Sequence, residues 1–104
     1  MSDEEMGGRF AAALDAAWEA WRSEAGYTWK RYKPMVRRYG AVGTVKRQVV
    51  KPDASPGFLK LLAAGRLDLT MEALILKSDF APLFTYHKRD AARERLRRYG
   101  GSRV

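Results

Sequence analysis

Glycine and proline punctuate this chain so closely that only short helices fit between the breaks. Gly26, Gly40, the loop Lys51-Pro52-Asp53-Ala54-Ser55-Pro56-Gly57, Gly65 and Gly100-Gly101 each interrupt a helical pattern. Between them apolar residues recur every three or four positions, and no strong alternating pattern marks a strand. The chain therefore reads as all-α, a compact single-domain bundle of about five to seven short helices. Its 104 residues suit one domain. The expected division is a flexible acidic N-terminus over 1–8, a helical domain over 9–100 and a flexible C-terminus over 101–104.

The first helix is predicted over Arg9–Ala25, with Phe10, Leu14, Ala17, Trp18 and Trp21 on one face. The next segment carries Trp29, Tyr32, Met35 or Val36, and Tyr39 as its apolar stripe. Pro34 fits only in a first turn, so the regular helix starts near Arg31 or is kinked. A short helix over Val42–Val50 follows, with Val42, Val45 and Val49 inward. Ser55-Pro56 reads as an N-cap and a first-turn proline. It opens a helix over Pro56–Ala64 with Phe58, Leu59, Leu61 and Leu62 inside. A mostly apolar helix over Leu69–Leu76 should be the buried centre. A helical turn over Ser78–Phe84 and a Thr85-capped helix over Tyr86–Tyr99 complete the series.

Composition narrows the chemistry. There is no cysteine, which excludes a disulfide scaffold, a Cys-ligated zinc site and thiol catalysis. No run of about 18 apolar residues exists, so no membrane span is expected. The acidic start Ser2-Asp3-Glu4-Glu5 argues against a secretory signal, and the cytoplasm is the default compartment.

Net charge is +8, from 20 Lys+Arg and 12 Asp+Glu, and it is not spread evenly. Residues 1–26 hold six acids and two bases. Residues 27–51 hold eight bases (Lys30, Arg31, Lys33, Arg37, Arg38, Lys46, Arg47 and Lys51) and no acid. Residues 52–85 are almost balanced. Residues 86–104 hold seven bases and two acids. Single-sign blocks create a field that attracts an opposite partner.

The stretch Gly65-Arg66-Leu67-Asp68-Leu69-Thr70 with Glu72, and the following Phe80, Leu83-Phe84-Thr85, resembles a widespread small bacterial helical domain of uncharacterised function. Gly57-Phe58, Gly26-Tyr27, Met35-Val36, Ala92-Arg93, Arg95-Leu96 and Tyr99-Gly100 extend the resemblance over roughly residues 10–100. It implies no particular activity, only a cytoplasmic bacterial setting and, loosely, defence or mobile-element biology. Two departures from the pattern stand out: Pro34, and the basic opening Tyr86-His87-Lys88-Arg89 of the last helix, which opposes the helix dipole.

Aromatics interleaved with bases from Tyr27 to Tyr39 suit phosphate contacts with base stacking. The same helical spacing suits a core stripe. In the last helix Arg89, Arg93 and Arg97 step by four and form a ridge. Asp68 and Glu72 could be a carboxylate pair. They fit better in the helix that follows, with Asp68 or Thr70 as its cap and Glu72 favouring its N-terminal dipole and paired to Arg66. The lone His87 has no nucleophile or carboxylate arrangement around it in sequence, so no enzyme, cofactor or metal is expected. A helix-turn-helix over Phe58–Lys77 fails because Thr70–Leu76 carries no base-reading side chain.

The expected function is a small nucleic-acid-binding module that contacts phosphates with low sequence specificity, DNA favoured over RNA, as a monomer or weak homodimer. The residues expected to bind are Lys30, Arg31, Lys33, Arg37, Arg38, Lys46, Arg47, Lys51, Lys88, Arg89, Arg93 and Arg97. The alternative is an adaptor or inhibitor whose basic face docks an acidic protein surface.

Overall fold

The computed structural model describes residues 2–100. Five α-helices and two 3₁₀ turns follow one another, and no strand is present among the described residues. The radius of gyration, 12.9 Å, is that of a compact chain of this length.

Helix α1 (Asp3–Ala25) begins six residues earlier than expected. Ser2 caps it by accepting from the Glu5 amide at 3.2 Å, while its hydroxyl faces the Glu5 carboxylate at 3.3 Å. Asp3, Glu4 and Glu5 then lie at the positive end of the helix dipole. The acidic start that read as a flexible arm is therefore a first helical turn, and Met6 packs against the core. Phe10 and Leu14 are fully buried, with Phe80 and Phe84 each edge-on to Phe10 at 5.1 Å between ring centres.

The two helices expected on either side of Gly40 run into each other as α2 (Tyr32–Val49). Gly40 sits at φ 75° and ψ 168°, a conformation open essentially to glycine alone, and the helix bends there. The bend is sharp. Gln48 Nε2 lies 3.8 Å from Met35 Sδ, whereas thirteen residues of straight helix would hold them about 20 Å apart. Pro34 falls in the first turn, where no intrahelical N–H is needed; the Met35 amide makes the first regular bond, to Arg31 O at 3.0 Å. Val45 and Val49 enter the core as expected, and Val42 is half-buried.

Helix α3 (Pro56–Ala63) opens with Ser55 accepting from the Phe58 amide at 3.1 Å. It closes with Gly65 at φ 71°, where Arg66 N bonds Leu61 O and Gly65 N bonds Leu62 O, a Schellman ending. Leu59, expected inside, is 45% exposed, because it lies on the face of this short helix opposite Phe58 and Leu61. The helix expected over Leu69–Leu76 divides. A 3₁₀ turn spans Leu67–Leu69, and Thr70 then caps α4 (Met71–Ile75) by accepting from the Ala73 amide at 3.1 Å. A 3₁₀ turn over Ser78–Leu83 leads to α5 (Tyr86–Gly100), capped by Thr85. The expectation for residues 101–104 lies outside the described residues.

Candidate nucleic-acid interface

The bend at Gly40 decides where the acid-free block goes. Arg31 precedes the first leg of α2, which carries Lys33, Arg37 and Arg38. The second leg carries Lys46 and Arg47, and Lys51 lies just past its end. All but Lys46 are exposed, and Lys46 is half-buried. Folding the legs together brings Arg38 and Arg47 to one tyrosine. The Arg47 guanidinium lies 3.7 Å from the centre of the Tyr39 ring and that of Arg38 5.4 Å. Among the described residues none of the eight bases makes an ion pair. The two guanidiniums thus form a fork at one ring, and neither is paired with a carboxylate among the described residues.

The aromatics of this segment divide their roles. Tyr32 is buried, stacks on Trp18 at 4.8 Å and donates its hydroxyl to the Asp15 carboxylate. Burial first, then that carboxylate, hold the Tyr32 hydroxyl well above the ordinary phenol range. Trp29 is half-buried against Tyr32, and its carbonyl accepts from Trp18 Nε1 at 3.1 Å. Lys33 lies 5.4 Å from the Trp18 ring centre. The stripe thus anchors the first leg to α1 and leaves the cations on the outside.

The second block is differently surrounded. Arg97 forms a two-pronged bond to Glu94, at 2.6 and 2.9 Å, and Arg93 lies 3.6 Å from Asp90. The Arg97 hydrogen bond is the largest cause holding the Glu94 carboxyl below its usual range. Lys88 and Arg89 are half-buried in the first turn of α5. Arg89 Nε is enclosed without a hydrogen-bond partner. The ridge of Arg89, Arg93 and Arg97 therefore differs from the fork on α2: two members already face an acid, and the third is partly covered.

Arg95 was not among the candidate binding residues, and it carries the main structural ion pair. Its Nη1 lies 2.8 Å from Glu72 Oε2, with both side chains below 10% exposure, and its Nη2 donates to the Lys51 carbonyl. The expected Glu72–Arg66 pair does not form. Arg66 instead binds Asp68 at 3.0 Å and Glu24 at 3.0 Å on the surface. Asp68 and Glu72 thus belong to separate pairs, and no group of three or more His, Asp and Glu side chains forms a metal-binding cluster among the described residues. The helix that a helix-turn-helix would use for recognition is five residues long and buries Glu72, Leu74 and Ile75.

Sequence reasoning missed a cleft of about 500 Å³ beside the acid-free block. Arg31 just before the first leg, Met35 on it, Gln48 near the end of the second, Lys51 just past that end, the 52–57 loop and the start of α4 surround it. Its aromatic lining is Trp21, Tyr27, Trp29 and Phe58. Trp21 is fixed by a bond from Nε1 to Leu69 O at 2.7 Å. Tyr27 packs against Gly57, where a Cβ would come within 2.8 Å of its ring, and burial raises the pKa of its hydroxyl. The sequence signals beside the cleft are the aromatics interleaved with bases from Tyr27 and the proline- and glycine-rich loop, and neither tells that the two face each other. Among the described residues no helix is long and apolar enough to cross a membrane. No family model, curated protein or solved structure matches this chain.

Proposed function

We propose that this chain is a small nucleic-acid-binding module that holds phosphates on the acid-free segment, with Arg38 and Arg47 as its strongest anion fork. The supporting observation is the set of eight bases over residues 27–51 that have no acid among them and no ion pair among the described residues. A surface that only needed solubility would mix signs along its helices, as α5 does with Asp90 and Glu94. Binding through phosphates carries little sequence preference. Lys88, Arg89, Arg93 and Arg97 contribute less in this reading, since Arg93 and Arg97 must leave a carboxylate to meet a phosphate.

Fluorescence anisotropy with labelled nucleic acid across a salt series tests the reading. Neutralising about five to eight phosphates of a duplex gives a log–log salt slope near −5 to −7. An affinity that does not change with salt contradicts it. The alternative occupant of the same cations is an acidic protein surface. It becomes the favoured reading if nucleic acid fails to co-purify with protein prepared without nuclease and also fails to bind at low salt.

A further inference from the structure

We infer that the cleft beside the acid-free block receives an unstacked nucleobase, so that the partner is a single-stranded nucleic acid. The inference rests on the nucleic-acid reading above and adds strandedness to it.

Three features of the cleft point to a base rather than to an apolar peptide side chain. The first is its lining. Tyr27 and Trp29 offer ring surfaces and Met35 and Met71 polarisable ones, and every base has a π-face to lay against them. The second is its polar content. Gln48 presents an amide oxygen and one N–H, the other N–H being directed at Met35 Sδ, and a donor beside an acceptor matches a base edge. Glu72, with Oε2 held by Arg95, makes no other hydrogen bond among the described residues, so Oε1 can accept from a ring N–H, such as that of thymine, or from an exocyclic amine. The third is charge at the mouth. Arg31 and Lys51 lie twenty residues apart along the chain, yet the Gly40 bend and the turn after α2 bring both to this cleft. They would hold the phosphates on either side of an inserted base. Asp53 is the opposing charge, an exposed carboxylate on the loop.

The volume, about 500 Å³, is within the range of sites for small planar ligands. A base inside a duplex must first leave its stack to enter, whereas a single strand supplies unstacked bases at little cost. The geometry therefore favours single strands, and it separates two contributions: phosphates on the cations, a base in the cleft.

The test compares three labelled oligomers of equal length at one salt concentration: a deoxythymidine strand, an abasic strand with the same phosphates, and a duplex. The thymidine strand is expected to bind about tenfold or more tightly than the abasic strand and to quench tryptophan fluorescence, since Trp21 and Trp29 both line the cleft. The duplex is expected to bind no better than the abasic strand. Gln48→Leu should narrow the gap between thymidine and abasic strands while leaving abasic affinity unchanged. Equal affinity for thymidine and abasic strands overturns the cleft assignment and leaves phosphate binding intact. Absence of binding by all three at low salt overturns both.

Discussion

Residues 27–51 and helix α5 are both rich in bases, eight in the first and six over residues 86–100 in the second. Their surroundings differ. In α5 Arg93 and Arg97 face acids one turn away, and Arg95 points inward to Glu72. In the acid-free segment a buried aromatic stripe turns the cations outward, and the bend at Gly40 gathers two of them on Tyr39. The same residue types thus serve the fold in one region and remain open to a partner in the other. What separates the regions is whether a carboxylate lies within one helical turn or across the core, not how many bases each contains.

That contrast predicts opposite responses to mutation, taken here from the largest effect to the smallest. Glu72→Ala strands Arg95 in the interior with only the Lys51 carbonyl as partner. Breaking a buried pair of this kind costs about 3–5 kcal/mol. Thermal denaturation should show Tm falling by more than about 10 °C. A fall of a degree or two would mean that α5 is not tied to the core through this pair, and the contrast would lose its structural half.

Gly40→Ala comes next. Nothing lies within 4 Å of the added Cβ, so the cost is confined to the backbone conformation, about 1–3 kcal/mol. Relief of the strain by straightening α2 would separate Arg38 from Arg47. Urea denaturation reads the stability loss, and the same variant should bind nucleic acid more weakly.

Tyr32→Phe removes the bond to Asp15 that fastens the first leg of α2 to α1, at a cost of about 1 kcal/mol. It also changes the pH dependence. Folding raises the Tyr32 pKa, so its stabilisation is complete below about pH 10, where the unfolded phenol begins to ionise. It is lost as pH rises beyond that, because the unfolded chain releases a proton that the folded chain retains. Stability of the parent protein should therefore fall above about pH 10, and the phenylalanine variant should show a shallower fall. At the far end of the scale, Lys30→Ala and Arg37→Ala should each leave the unfolding free energy unchanged within about 0.5 kcal/mol in urea denaturation, because both are exposed and unpaired among the described residues. A large loss from either would show that the acid-free segment is structural after all.

Much of this architecture is legible in local chemistry. Ser55-Pro56, Gly65 and Thr85 each set a helix end through bonds to neighbours within a few residues, and all three are found where the sequence places them. The buried positions of Phe10, Leu14, Val45 and Val49 follow from helical spacing. Long-range features are not legible in this way. Nothing near Glu72 specifies Arg95, 23 residues away, in preference to the nearby Arg66. Gly40 marks a break without telling whether the chain ends a helix or folds two legs together, so the approach of Arg38 and Arg47 to one ring and the cleft that Met35 and Gln48 line are both hidden. The first turn of α1 was misread for a different reason. Three acids looked like a solvated arm, although Ser2 followed by Glu5 is also a capping signature.

The most direct measurement is the salt dependence of nucleic-acid binding in two paired charge reversals. Arg38→Glu with Arg47→Glu should make the log–log slope shallower by about 2, because each lost phosphate contact removes close to one. Arg93→Glu with Arg97→Glu should change it by less than about 1. Equal changes, or a larger change from the α5 pair, would contradict the claim that the acid-free segment is the binding face.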